Sequence, residues 1–360
     1  MRIDTSAFRP PFCPNEHCPF HVESTAWRYN KAGFYSRSYA PKRVQRFRCL
    51  TCSRYFSFQT FQTTYWLKRP DLLPLVFHRS LACSAFRQIA RETRAAPATV
   101  MRLTERLGRH CLLFQHLHRP EPKEPVVVDG FESFEYSQFH PCHFHVAVGA
   151  VSHFFYAFTD SELRRKGRMT AAQRKKRTFL EARYGRPDPK SIEKEMAELV
   201  RLIPGHGLLV VRSDEHPGYP RAFRRVNRPI RHEVTSSKEP RTKRNPLFPV
   251  NLLDLLVRHG GANHKRETIA FSKRRQNGAE RLAILQVWRN FVKEFSERWG
   301  GGTPAQRVGM MKKLAVEDIL RGRLFPSRIR LPERLERYYR RRTWTRLLPR
   351  QRTHRLLYAD

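Results

Sequence analysis

Acidic residues are scarce in this chain. Only 32 Asp and Glu stand against 70 Lys and Arg among 360 residues, so the formal net charge is +38 and the pI is about 11.0. Such a balance excludes cationic partners and points to a polyanion. Long apolar runs are missing as well: no stretch approaches the ~20 residues of a membrane span. The opening MRIDTSAFRPPF lacks the cationic start and apolar run of a secretory signal. A soluble cytoplasmic protein with no membrane partner is therefore expected. Cysteine is sparse, and its odd count of seven, unevenly spread, argues against a disulfide framework and for metal ligation by a subset. Apolar residues are not lacking. With 40% hydrophobic and 12% aromatic residues the chain is no disordered basic tail, and at ~100–200 residues per domain its length predicts two or three folded units.

Four cysteines are grouped. Cys13 and Cys18 form one short knuckle, and Cys49 and Cys52 form another inside RFRCLTCSRYFSF. Two such turns brought together give the tetrahedral sulfur cage preferred by structural Zn²⁺, so residues 1–66 are expected to be a zinc ribbon. The first knuckle is the wider one, which leaves His17 as an alternative to one thiol. Cys83, Cys111 and Cys142 are expected to be lone apolar fillers.

Across residues 67–118 the apolar period becomes helical. Phe86, Ile89 and Ala90 mark one helix, Arg94-Ala95-Ala96 a tight link, and Pro97 the first turn of a second helix carrying Val100, Leu103 and Leu107. Exposed Arg87, Arg91, Arg102 and Arg106 complete the pattern of a helix-turn-helix DNA-binding domain. Thr99 to Arg106 would read the sequence. The alternative is a helical hairpin whose cations form a solvated face.

RPEPKEP at 119–125 is a Pro-rich linker. Beyond it lie VVVDGFESFEY and HFHVAVGAVSHFFYAF, three strand candidates that predict an antiparallel meander. A basic helical insertion follows at about 163–203, and then GLLVVRSDEHPGYPRAF, where a second apolar strand ends in an acid. The helix NLLDLLVRHG supplies a third. Asn251, Asp254 and Arg258 share one of its faces, with the leucines elsewhere. Asp129, Asp214 and Asp254 on separate elements have the layout needed to hold Mg²⁺, with Mn²⁺ as a substitute, for metal-assisted phosphoryl transfer. Each acid alone would more often be a turn or cap residue.

This order of parts resembles the DDE-type transposases of bacterial insertion sequences. The pieces that carry the resemblance are RFRCLTCSRYFS, VVVDGFESF, VRSDEHPGY and VNLLDLLVRHGGANHKRETIAFSKR. The last is similar to a helix of the family related to the transposase of the first-named insertion sequence, and Arg266, Thr268, Phe271, Ser272 and Lys273 match its ending loosely. The resemblance implies an α/β catalytic core of ribonuclease H-like fold at 126–295, preceded by the zinc ribbon and the small all-helical domain. It also implies cleavage and strand transfer of double-stranded DNA at element ends and target, a homo-oligomer, and a nucleoid-associated location in a bacterial cytoplasm. Arg258, Lys265, Arg266 and Lys273 would touch DNA. The family carries Glu as its third acid, where direct register here places Asn251. Asp254, one turn on, is the substitute, and Glu267 and Glu280 compete with it. Glu280 is expected to be an exposed partner of Arg281 or a neighbouring base, while Glu132 and Glu215 could orient the first two acids.

Residues 296–360 interleave Arg with Tyr and Trp, which suits phosphate neutralisation and base stacking or an arm that packs on another protomer. Two function classes follow: a transposase, or a non-catalytic DNA-binding protein derived from one. Convergence of the three carboxylates would discriminate them.

Overall fold

A computed structural model describes residues 5, 7–310 and 312–346. The chain forms two compact units, one of described residues up to 75 with 316–331, the other of 76–315 with 332–346.

The smaller unit is built on a three-stranded antiparallel sheet, β1 (Tyr29–Ser36), β2 (Arg43–Cys49) and β3 (Tyr55–Ser57), in that order. Its core is aromatic and sulfur-rich: Phe47, Phe56, Phe61 and Phe325 surround Cys13, Cys18 and Cys49. Phe325 comes from the distant 316–331 segment. That return is pinned by Arg323 N–H to the Phe61 carbonyl at 2.8 Å and by the Thr63 hydroxyl to the Leu320 carbonyl at 2.6 Å.

Helix α1 (Leu72–Ser80) leads into the larger unit, where α2 (Phe86–Thr93) and α3 (Pro97–His118) follow. Arg94 closes α2 in the left-handed region at φ 50°, and Pro97 opens α3 where its missing N–H costs nothing. The helical pair is as its periodicity predicts. The mixed sheet then forms from β4 (Val126–Phe134), β5 (Pro141–Gly149) and β6 (Phe155–Glu162) as an antiparallel meander. Two helices intervene, α4 (Ala171–Tyr184), capped by the Thr170 hydroxyl, and α5 (Ser191–Arg201). Strand β7 (Leu209–Ser213), helix α6 (Gly218–Phe223), strand β8 (Ile230–Val234) and helices α7 (Phe248–Gly260) and α8 (Arg275–Val287) complete the set.

The strand order is β6-β5-β4-β7-β8, with β4, β7 and β8 parallel. Strands β5 and β6 are buried almost throughout, including the polar His145, Thr159, Asp160 and Ser161. Helix α7 packs on β4 and β5, α5 on β5 and β6, and α3 runs along α8. Residues 332–346 fold back within this unit. Arg334 donates to Asp160 at 2.7 Å, while buried Arg275 faces Glu135, Asp160 and Glu162 at 3.1–3.2 Å. Among the described residues, no helix is long and apolar enough to cross a membrane.

Candidate functional site

The two knuckles meet in the smaller unit. The Sγ atoms of Cys13, Cys18, Cys49 and Cys52 all lie within 4.8 Å of one another, with Cys13 to Cys52 at 3.6 Å and Cys18 to Cys49 at 4.0 Å. A soft four-sulfur set of this kind fits Zn²⁺. Burial pushes the Cys13 and Cys18 thiols up. Burial does the same at Cys49, but the Cys52 backbone N–H and the Trp27 indole, whose Nε1 is 3.3 Å from its sulfur, outweigh it and hold this thiol at about 6. His17 does not join them; its side chain is 86% exposed and turns to Glu16. His21 serves instead as a brace, bonding the Cys13 carbonyl at 2.7 Å and the Ser327 hydroxyl at 2.8 Å.

In the larger unit the three aspartates share one electrostatic neighbourhood. The parallel register of β4 and β7 pairs Val126 with Val211 and Val127 with Arg212, and two residues further along this direction come Asp129 and Asp214. Asp129 is pushed up to about 6, first by burial and then by the Asp214 charge. Asp254 on α7 is pushed up to about 7, by burial and then by Asp129. Its Oδ1 is buried with no hydrogen-bond partner among the described residues. Asp129 Oδ1 accepts from the Gly130 N–H at 2.7 Å and, more weakly, from the Tyr219 hydroxyl at 3.4 Å. Asp214 Oδ1 accepts from the His216 N–H at 3.1 Å, an Asx-turn bond. The carboxylates do not form a closed ligand set: among the described residues, only the four thiols make a group of three or more metal-ligating atoms mutually within 4.8 Å.

Several residues around these acids carried no sequence signal of their own. Tyr219 stands in α6, where the charges of all three aspartates add to burial in raising its pKa. A Cβ at Gly130 would approach His145 Nδ1 to 2.9 Å and His143 Nδ1 to 3.2 Å, so glycine permits β4 to lie against two imidazoles. Both rings are held neutral by burial, His143 at about 4 and His145 well below its usual value. His264 bonds Ser133 at 3.2 Å, and Tyr136 N–H bonds the Ser272 carbonyl at 2.8 Å, tying the segment after α7 to β4. That tie brings the basic segment toward the acids. Arg258, Arg241 and Arg266 all act on Asp254, with Arg258 the foremost of the cations.

Other expected positions fall differently. Glu280 is not an exposed partner of Arg281; it is 1% exposed on α8, where Arg341 Nε meets it at 2.8 Å and Gln276 Nε2 at 3.0 Å. Nothing in the sequence between them marks a pair 61 residues apart. Glu267 is exposed, and exposed Glu215 accepts from the Ser237 N–H at 2.8 Å. Arg87, Arg91 and Arg102 are exposed, as are Lys265, Arg266 and Lys273, whereas Thr99 and Arg106 are half-buried. Cys111 and Cys142 are buried and Cys83 is half-buried.

No family model and no curated protein matches this sequence. Among solved structures, a simian T-cell lymphotropic virus intasome in complex with PP2A regulatory subunit B56 gamma is similar at a TM-score of 0.24 and 14% identity. The similarity covers 54% of this chain and 58% of that one.

Proposed function

We propose that this chain is a DNA strand-transferring enzyme of the transposase type, with a ribonuclease H-like core in which Asp129, Asp214 and Asp254 hold the reacting divalent ion. The observation that carries the proposal is the orphaned, buried carboxylate oxygen of Asp254 beside two further aspartates, in a protein of net charge +38. Anionic groups massed in a partly dry site disfavour their own ionisation, and a bound cation inverts that balance. Hard carboxylate oxygens fit Mg²⁺ or Mn²⁺. Such an ion would supply Lewis acidity and lower the pKa of a coordinated water. The chain's own contribution is positional. Strands β4 and β7 and helix α7 carry one acid each, and the Tyr219 hydroxyl restrains Asp129. Arg241, Arg258 and Arg266 offer positive charge for DNA phosphates beside the acids. The three-stranded meander continued by two parallel strands supports the ribonuclease H-like assignment. The same proposal makes double-stranded DNA the partner, the exposed arginines of α2 and α3 its contacts, Zn²⁺ the structural ion of the thiol site and a homo-oligomer the working form.

A non-catalytic DNA-binding protein is the second reading. It is favoured by Asn251 in the register where the related family carries Glu, and by the open spacing of the acids. Cleavage of duplex DNA bearing the gene's flanking repeats separates the two. Asp129→Asn, Asp214→Asn and Asp254→Asn should each abolish Mg²⁺-dependent cleavage while retaining DNA affinity. Cleavage surviving in all three variants would remove the aspartates from the reaction, and cleavage absent from the unaltered protein would leave the non-catalytic reading.

A further inference from the structure

A cavity of about 540 Å³ opens in the smaller unit, between the ends of the three-stranded sheet and the turns that follow it. None of the four cysteines lines it. Its walls are aromatic, from Tyr35, Tyr39, Tyr55, Tyr65 and Trp66. Trp66 is 63% exposed and Tyr55 56%, although large rings of this kind are more often packed away. Trp66 is also held at φ +58°, a left-handed backbone that a bulky residue adopts only where its surroundings impose it.

Two polar atoms are left over. Gln59 lines the cavity, is only 4% exposed, and its buried Oε1 has no hydrogen-bond partner among the described residues. Arg37 Nη1 is buried and unpartnered in the same sense. Buried amide oxygens are nearly always satisfied, so an orphan beside an open aromatic cavity marks where a ligand's donor would sit. The cations at the rim are Arg37, Arg46 and Lys68, and no carboxylate pairs with them among the described residues. Arg37 lies 5.1 Å from the Tyr39 ring and Arg46 5.9 Å from the Tyr55 ring, so both charges sit beside stacking faces.

We propose that this cavity binds an unpaired nucleobase of a single nucleic-acid strand, stacked on Trp66 and Tyr55, with its amino or imino N–H on Gln59 Oε1 and neighbouring phosphates on Arg37, Arg46 and Lys68. Flat faces, one buried acceptor and uncompensated positive charge are the recognition chemistry of single-stranded nucleic acid. A duplex keeps its bases stacked and cannot fill the cavity. The site does not depend on the aspartates of the larger unit, and it stands whether or not the chain cleaves DNA.

The test uses the full zinc-loaded protein without added Mg²⁺, and fluorescence anisotropy of labelled oligonucleotides at fixed salt. A single strand should bind more tightly than an abasic strand of equal length and charge. Trp66→Ala should weaken single-strand binding about tenfold while leaving duplex binding within twofold. Phe179→Ala, at 60% a similarly exposed aromatic of the larger unit, should leave single-strand binding unchanged. Zinc content of Trp66→Ala equal to that of the unaltered chain shows that the unit remains folded. Single-stranded DNA and RNA arms distinguish the source of the strand. Equal binding of abasic and base-bearing strands by the unaltered protein would overturn the proposal whatever the variants do. So would loss in Phe179→Ala with retention in Trp66→Ala.

Discussion

Two groups of potential metal ligands, one in each unit, are organised in opposite ways. In the smaller unit four thiols lie within 4.8 Å of one another, and aromatic rings pack around them. In the larger unit the Asp214 charge raises Asp129 and the Asp129 charge raises Asp254, yet the carboxylate oxygens do not close into a ligand set. The difference follows from charge. A thiol kept protonated by burial, as at Cys13 and Cys18, is a small apolar group that a core tolerates at close quarters, whereas ionised carboxylates repel, and burial sharpens the repulsion.

The largest effect expected from breaking this contrast is at the thiols. A small aromatic unit closed by four cysteines should owe its folding to the ion, for which binding contributes on the order of 10 kcal/mol in small zinc domains. Cys49→Ser should lose zinc by elemental analysis, and limited proteolysis should then cut within residues 1–75 while sparing the mixed sheet. Full zinc content in that variant would mean the thiols are only core.

Glu280 comes next, because it is an acid whose partners are already in place. It is pushed up to about 6, chiefly by burial and against the pull of Arg341, and it sits in contact with α3 at Gly108. Removing one member of such a buried pair costs about 3–5 kcal/mol. Glu280→Ala should lower the denaturation midpoint accordingly, with DNA cleavage per folded molecule unchanged. A variant as stable as the unaltered protein but inactive would transfer the third-acid role from Asp254 to Glu280.

Asp254 should give the smallest effect and one of opposite sign. Its folded-state pKa of about 7 lies above the ordinary 3.8 of an unfolded chain. The folded protein thus holds the proton more tightly, and stability is highest below about pH 4 for this group. It declines as pH rises to about 7, then levels off. Asp129, at about 6, acts in the same direction over a narrower window. Without divalent ions, Asp254→Asn should therefore stabilise the protein at pH 8 by about 1–2 kcal/mol, with little change at pH 4. Added Mg²⁺ should stabilise the unaltered protein and not the variant. Urea midpoints at the two pH values, with and without Mg²⁺, measure both effects, and equal midpoints for variant and unaltered protein at pH 8 would remove the premise of a strained acid.

Much of the architecture could be anticipated from local patterns. Two short Cys spacings flanked by aromatics, a 3.6-residue apolar period broken at Arg94, and apolar strands between Pro-rich or basic segments each correspond to an observed element. The less legible parts involve residues distant in the chain. Helix α8 is buried on almost every side, so its sequence shows no polar face from which the surroundings of Glu280 could be inferred. Residues 316–331 and 332–346 are both Arg-rich but belong to different units, and Phe325 and Tyr338 each enter a core. Residues 347–360 of the same basic stretch lie outside the described residues.

Around the acids the division is similar. Asp129, Asp214 and Asp254 stand out because acids are rare here and each follows or interrupts an apolar run. Tyr219, His143, His145 and His264 do not stand out, since an aromatic or imidazole in a strand or turn is ordinary. The sequence by itself determined the charge of the molecule, the thiol quartet, and which segments become strands and helices, because these depend on composition, spacing and neighbouring residues. Only the tertiary structure decided which acids feel one another, which are matched by arginines, and where a glutamine oxygen is left without a partner. Those outcomes depend on strand register and burial, and electrostatic interactions in a dry interior change over a few ångströms, a distance no linear spacing encodes.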